Sequence, residues 1–162
     1  GIRGGLVARG KTEPAAFRPE VEREGRALDR ERHDAAVELP RESLRPALEV
    51  WTLVQSCPEP GLAILTAGRR DLSFDIEMPI PFARAARGTL SPRCVPASWK
   101  ITGLNDQHAH LRCDASDAAD APVVGERVGL GISHPCTTFD KWHWMPVVDD
   151  DYCVVDAVAM HF

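Results

Sequence analysis

The sequence predicts a mainly β protein, a compact barrel- or sandwich-like β domain with short helical turns that follows a charged N-terminal arm. From Leu44 onward, apolar residues form short runs rich in β-branched and aromatic side chains, which is typical of strands. Most of the 13 prolines lie between these runs, as turns require. Composition also changes near residue 45, because residues 1–45 carry 10 Lys/Arg and 9 Asp/Glu whereas the remainder carries 9 and 15. The net charge of −5 therefore arises from the second segment.

The candidate strands take their bounds from the turn residues around them. Leu48–Val54 partly alternates apolar and polar residues and is rich in β-formers. Gly61–Leu65 is a short apolar run between Pro60 and Gly68, as expected of a buried strand. The same pattern predicts four further strands, Trp99–Leu104, Ala109–Cys113, Glu126–Ile132 and Tyr152–Met160. Several short strands separated by turns favour a barrel or a sandwich.

Residues 1–43 are predicted to form a poorly packed, partly helical arm. Glu20–Asp34 is predicted as a solvent-exposed helix, because its apolar stripe is too thin to support tertiary packing. Gly5–Thr12 matches G-x-x-x-x-G-K-[ST], the motif of a phosphate-binding loop. Such a loop needs a buried strand before it and a helix after it, but only four residues precede Gly5 and Pro14 follows the motif. We interpret the match as coincidental.

Size, charge and cysteine usage narrow the class of protein. A chain of 162 residues and 17.8 kDa is enough for one domain with a hydrophobic core. A pI near 5.7 argues against binding of nucleic acid, and no apolar run is long enough to cross a membrane. No signal peptide is visible. Five cysteines without a C-x-x-C pair predict a reducing, cytoplasmic environment rather than a disulfide framework.

A histidine and a cysteine two positions apart form the candidate metal site. If residues 134–136 are extended, the side chains of His134 and Cys136 point the same way, and Pro135 points away. Imidazole and thiolate together suit zinc. Two protein ligands leave coordination positions open, which is typical of a catalytic metal. From the spacing alone, the alternative is a small buried cysteine beside a hydrogen-bonded histidine.

Several blocks of sequence carry a resemblance to a known family. The segment Gly125–Trp142 contains G-I-S-H-P-C-T-T-F-D-K-W. A second block, V-V-D-A-V, occupies residues Val154–Val158, close to the last residue of the sequence. The further blocks, in the same order as in the family, are Leu44–Trp51, Pro58–Ala63, Ala67–Asp75, Leu104–Ala109 and Met145–Asp149. Over about residues 44–162 the sequence resembles the C-terminal domain of the D-serine dehydratase-like family. These pyridoxal-phosphate enzymes include amino acid deaminases and D-threonine aldolases.

The resemblance implies a two-domain enzyme that forms a homodimer and acts on a small D-amino acid. In that arrangement an alanine racemase-type barrel carries pyridoxal phosphate on a lysine, and the β domain supplies the metal ligands. His134 and Cys136 match the zinc pair of the family, and His108 matches a block near the active site. The implied reaction converts a β-hydroxy amino acid such as D-serine to a keto acid and ammonia, with zinc assisting departure of the hydroxyl group. Alternatives are a retro-aldol enzyme of the D-threonine aldolase type and a non-catalytic metal-binding or structural remnant.

The sequence also departs from the family. The barrel is absent, and none of Lys11, Lys100 and Lys141 stands where the cofactor lysine is expected. We therefore predict no cofactor-binding residue, and we expect the chain alone to be inactive. Thr66 stands where the family has an aspartate.

The residues around the candidate metal pair receive mostly structural interpretations. Asp75 is predicted to end a turn, with support of a metal ligand or a role towards the substrate as the alternatives. Trp142 and Trp144 are predicted to pack in the core, and His143 between them is predicted to face solvent.

Overall fold

A computed structural model describes residues 5–9, 47–89, 91–114 and 119–161. Within these ranges it contains ten strands and one short helix, so the prediction of a mainly β fold is confirmed. No helix in these ranges is long and apolar enough to span a bilayer. The elements are β1 Gly5–Arg9, β2 Leu48–Glu59, β3 Leu62–Leu65, β4 Ile80–Ala85, β5 Arg93–Cys94, β6 Lys100–Leu104, β7 Ala109–Arg112, β8 Arg127–Gly131, α1 Pro135–Phe139, β9 Trp144–Val148 and β10 Val154–Ala159.

Strand β2 is the centre of the sheet. Its first half pairs with β1 on one side and with β8 on the other, and its second half pairs with β3. Beyond β1, the sheet continues to β9 and then β10. Beyond β8, it continues to β4 and then β5, and beyond β3, it continues to β7 and then β6. All neighbouring strands are antiparallel except β1 and β9, which are parallel. The sheet curls into a half-barrel, which brings β4 and β6 together.

The concave face of this sheet holds the hydrophobic core. On β2, Val50, Thr52 and Val54 are buried at alternate positions, as expected of a strand with one face towards a core. Val128 and Leu130 alternate in the same way on the neighbouring β8. The other strands and the loop after β3 add further large buried side chains, Leu6, Leu65, Leu72, Ile101, Leu104, Leu111 and Met145. Each such side chain contributes roughly 1.5–3 kcal/mol to the free energy of unfolding.

All six candidate strands are found, as β2, β3, β6, β7, β8 and β10, whereas four strands were not anticipated. Strand β4 was missed because Pro81 and Arg84 interrupt its apolar pattern. Arg84 is nevertheless buried, because its Nε donates to Glu126 Oε1 at 2.8 Å. A charge that is paired in this way is compatible with a buried strand, but the partner is 42 residues away in sequence.

Part of the predicted arm belongs to the sheet. Gly5–Arg9 forms β1, and Leu6 within it is only 1% exposed. This packing differs from the expectation for residues 1–43. The predicted helix Glu20–Asp34 and the Gly-Lys-Thr end of the phosphate-loop match lie outside the described residues, and the division of the chain after residue 43 stays a prediction.

A polar cluster anchors β1 to the rest of the sheet. Glu49 on β2 is 4% exposed; it forms an ion pair with Arg9 and accepts hydrogen bonds from Trp51 Nε1 at 2.9 Å and from the Tyr152 hydroxyl at 3.0 Å. The Arg9 guanidinium also lies 4.5 Å from the centre of the Tyr152 ring. Tyr152 has a positive φ of 60° in the turn between β9 and β10, a conformation that is uncommon outside glycine. The cluster therefore ties three separate segments together.

The pKa of Tyr152 tests this cluster directly, because the chain has only one tyrosine. Burial, reinforced by the Glu49 carboxylate, raises that pKa from 10.0 to about 12. The unfolded chain therefore loses its phenolic proton first, and the free energy of unfolding falls as pH rises from about 10 to about 12. The ultraviolet absorbance of tyrosinate measures the titration in the folded and the denatured chain.

A matched pair of variants provides the control. Glu49→Gln removes the buried carboxylate and lowers the midpoint of the Tyr152 titration, whereas Glu59→Gln removes an exposed carboxylate from the same strand and leaves the midpoint unchanged. A folded-state midpoint near 10 would contradict the described cluster.

Candidate metal site

His134 lies at the junction between β8 and α1. Its backbone is extended, with φ −134° and ψ 91°, and it is the N-cap of the helix. Pro135 then begins α1, because a residue without an N–H and with a fixed φ suits the first helical position. Cys136 therefore lies in the first helical turn. The extended backbone on which the shared direction of the two side chains depends is present at His134 but not at Cys136.

The loop Asp71–Glu77, which we name the clamp loop, holds this junction through buried hydroxyl groups. The Ser73 backbone N–H donates to Thr138 Oγ1 at 3.2 Å, and the His134 backbone N–H donates to Ser73 Oγ at 3.3 Å. Thr138 Oγ1 also lies 3.4 Å from the His134 carbonyl oxygen, to which it donates. Ser73 is 1% and Thr138 0% exposed, so water does not compete for these hydrogen bonds. The backbone of His134 is consequently fixed from both sides.

The two ends of the clamp loop are attached to the same segment. At one end, the Trp142 indole donates to the Asp71 carbonyl at 2.9 Å. At the other, Ser133 Oγ accepts from the Glu77 N–H at 3.2 Å and donates to the Glu77 carbonyl at 3.1 Å. The loop and the segment 133–142 thus form one hydrogen-bonded unit on the edge of the core.

Asp75 projects from the middle of the clamp loop onto the His134 ring. The distance from His134 Nδ1 to Asp75 Oδ2 is 2.5 Å, and Thr137 Oγ1 donates to Asp75 Oδ1 at 3.1 Å. The hydrogen bond from His134 holds the pKa of the Asp75 carboxyl below its ordinary value. Because Nδ1 faces Asp75, the other ring nitrogen, Nε2, is left without a hydrogen-bond partner among the described residues.

The donors available to a metal ion are the His134 ring and the Cys136 thiol. Cys136 is an exposed, free cysteine one residue beyond Pro135. Imidazole nitrogen and thiolate sulfur are both common zinc ligands, so the chemistry of the pair fits that ion. Within the described ranges, no group of three or more His, Cys, Asp or Glu residues is arranged to hold a metal. His134 and Cys136 stay a predicted metal pair.

His108 lies in the tight turn between β6 and β7. Its carbonyl accepts from the Asn105 N–H at 2.8 Å, and the turn packs on Gly68, where an added Cβ would lie 2.5 Å from the His108 nitrogen. No described hydrogen bond joins the His108 ring to His134. The catalytic role of His108 stays a prediction.

Thr66 has a structural role in this fold. Its Oγ1 lies 3.1 Å from Thr52 Oγ1 and accepts from the Leu53 N–H at 3.1 Å. Thr66, at the position where an aspartate was expected, thus connects the strand β2 to the chain that follows β3 through its hydroxyl group.

Sequence reasoning missed part of the site and misplaced one tryptophan. Ser73, Ser133 and Thr138 gave no signal, because isolated hydroxyl residues occur in most loops; only Asp75 had been linked to a metal ligand, as an alternative. Trp142 packs against the core as predicted, but Trp144 is 61% exposed. The prediction for Trp144 was wrong because β9 turns this side chain away from the core.

Comparison with known proteins decides the family. Residues 47–148 match the model of the family described as "Putative serine dehydratase domain". The chain belongs to this family. No curated protein matches the sequence.

Solved structures show the fold of this serine dehydratase-like domain in other proteins. D-threonine aldolase from Filomicrobium marinum matches with a TM-score of 0.59 and 22% identity, over 77% of this chain and 30% of that one. D-threo-3-hydroxyaspartate dehydratase from Delftia sp. HT23 matches with a TM-score of 0.51 and 22% identity, over 72% and 32%. An alanine racemase-like protein from Idiomarina loihiensis matches with 0.53 and 14%, over 70% and 31%. The chain thus spans about a third of the length of these proteins.

Two further solved structures are variants of a D-threo-3-hydroxyaspartate dehydratase. In one a histidine is replaced by alanine (TM-score 0.52, 19% identity, 72% of this chain and 32% of that one), and in the other a cysteine is replaced and the protein is metal-free (0.52, 21%, 72% and 32%). The two replaced positions lie two residues apart in that enzyme.

The hydrogen bonds of the clamp loop predict how much stability is lost when one buried hydroxyl group is removed. Thr138→Val keeps the shape of the side chain but leaves the Ser73 N–H without its acceptor, so we expect the free energy of unfolding to fall by about 1–2 kcal/mol. Thr102→Val on β6 removes an exposed hydroxyl with a 3.4 Å contact and should change it by less than about 0.5 kcal/mol. Urea denaturation followed by tryptophan fluorescence measures both values, and equal effects would contradict the clamp.

Proposed function

We propose that this chain is the metal-binding C-terminal domain of a pyridoxal-phosphate-dependent D-amino acid dehydratase. The reaction is β-elimination from a β-hydroxy amino acid such as D-serine, which gives a keto acid and ammonia. The observation that carries the proposal is the His134 ring, held at Nδ1 with Nε2 open, beside Cys136 in a domain of this family.

His134 and Cys136 would hold a zinc ion. Zinc at a site with open positions acts as a Lewis acid and stabilises a departing hydroxyl group. The two donors leave room for water or for the hydroxyl oxygen of the substrate. The histidine and cysteine variants of D-threo-3-hydroxyaspartate dehydratase, the second of them metal-free, support a metal role for a histidine and a cysteine at this spacing.

The described residues do not fit pyridoxal phosphate. Lys100 is exposed on β6 and Lys141 follows α1, whereas Lys11 lies outside the described residues. The structural relatives are about three times as long as the matched part of this chain. We therefore assign cofactor binding to a part of the enzyme that corresponds to the rest of their length, and we assign no cofactor-dependent step to the residues of this chain. In this proposal the chain alone is inactive, and the complete enzyme is a cytoplasmic homodimer.

A retro-aldol reaction is the second candidate. It is favoured by the match to D-threonine aldolase, which has a TM-score of 0.59. Both reactions act on an amino acid with a β-hydroxyl group, so the metal pair serves either of them. Product analysis separates them, because elimination gives ammonia and a keto acid whereas retro-aldol cleavage gives glycine and an aldehyde.

A chimera tests the proposal. Residues 44–162 replace the matching domain of the Delftia dehydratase, and activity is assayed with zinc, pyridoxal phosphate and D-serine, D-threo-3-hydroxyaspartate or D-threonine. We expect turnover of at least one of these substrates. His134→Ala or Cys136→Ala should lower kcat/KM at least about 100-fold, because Lewis-acid stabilisation is worth several kcal/mol.

Matched variants control for surface effects and folding. His143→Ala and Cys153→Ala change an exposed histidine and an exposed cysteine of the same domain, and both should keep full activity. A folded chimera whose activity is the same with and without His134 and Cys136 would refute a catalytic metal. A folded chimera without any turnover would favour the non-catalytic remnant.

A further inference from the structure

We infer that Asp75 is the positioning residue of this site: its carboxylate holds the His134 ring in one orientation and one tautomer and thereby presents Nε2 to the metal. The inference rests on the proposed function in one respect, that His134 is a metal ligand. It assigns Asp75 no contact with metal or substrate.

The carboxylate has a partner on each oxygen. Oδ2 receives the His134 Nδ1 contact at 2.5 Å, and Oδ1 receives the Thr137 hydroxyl at 3.1 Å. Thr137 Oγ1 also lies 3.3 Å from the His134 carbonyl oxygen. The Thr137 hydroxyl therefore lies between the Asp75 carboxylate and the His134 main chain, so the carboxylate that meets the His134 ring is also held by a residue of α1.

The backbone beneath this ring is fixed as well. Asp75 lies two residues from Ser73 in the clamp loop. Ser73 Oγ accepts from the His134 N–H, and the Ser73 N–H donates to Thr138 Oγ1. Since these anchors are buried, the distance between the Asp75 and His134 main chains has little freedom. The His134 ring could still rotate about its side-chain bonds. The hydrogen bond to the Asp75 carboxylate prevents this rotation.

Orientation, not stability, is the effect that this geometry produces. The side chains are 24% and 44% exposed for His134 and Asp75, and exposed ion pairs contribute little to stability. A carboxylate at one ring nitrogen has a different consequence: it accepts the proton at Nδ1, so that the lone pair is left at Nε2. Carboxylates behind metal-binding histidines act in this way.

The first experiment determines the tautomer of His134 in the metal-free chain of 162 residues by long-range proton–nitrogen NMR at mildly alkaline pH. We expect the proton at Nδ1. In Asp75→Ala the proton should move to Nε2, whereas Asp75→Asn should retain it at Nδ1, because the amide oxygen also accepts a hydrogen bond.

The second experiment measures zinc affinity by competition with a chromophoric chelator. Asp75→Ala should weaken binding roughly 10–100-fold, as removal of such a partner does in other metal sites, and Asp75→Asn should lose less. Asp140→Ala is the matched control, since Asp140 follows α1 directly and its loss changes the net charge by the same amount. That variant should bind zinc as the unaltered chain does.

The outcomes separate this inference from the proposed function. A folded Asp75→Ala variant that keeps the proton at Nδ1, or an Asp75→Asn variant that loses it, overturns the positioning role. If Asp75→Ala and Asp140→Ala lose zinc affinity equally, the loss is explained by the change in net charge, and the positioning role is overturned as well. If the unaltered chain binds no zinc, the metal proposal fails, and the tautomer in the metal-free chain still decides the role of Asp75.

Discussion

The exchange of hydrogen bonds between the clamp loop and the segment 133–142 is the constraint on which the site depends. Its centre is the pair of buried hydroxyl groups of Ser73 and Thr138, which satisfy backbone N–H groups that would otherwise be buried without a partner. Two loops about 60 residues apart in sequence are thereby held as one body. Asp75 on one loop and His134 on the other then meet as a consequence of backbone geometry.

The curled sheet explains why these loops meet at all. Strand β8 pairs with both β2 and β4, so the chain leaving β8 towards α1 runs beside the chain entering β4. The clamp loop is that entering chain, since it ends three residues before Ile80. The core below it anchors the loop through Leu72, which is fully buried. Phe74, Ile76 and Trp144 are among the large apolar side chains left at the surface.

The sequence predicted the fold class and the six strands that have clear apolar runs, because alternation and turn residues are local signals. It missed β4, whose buried Arg84 is explained by its ion pair with Glu126, a partner far along the chain. It named His134 and Cys136 on the condition of an extended backbone, whereas Pro135 occupies the first position of a helix. The contact between Asp75 and His134 was beyond local reasoning, since it arises from the pairing of β8 with β4.

The central claim is that His134 and Cys136 together hold one metal ion. X-ray absorption at the zinc edge of the zinc-loaded chain tests it most directly. The account predicts one sulfur neighbour at about 2.3 Å and one imidazole nitrogen at about 2.0–2.1 Å, with oxygen in the open positions, and the sulfur signal should disappear in Cys136→Ser but persist in Cys153→Ser. A zinc shell without sulfur, or one unchanged in Cys136→Ser, would contradict the account.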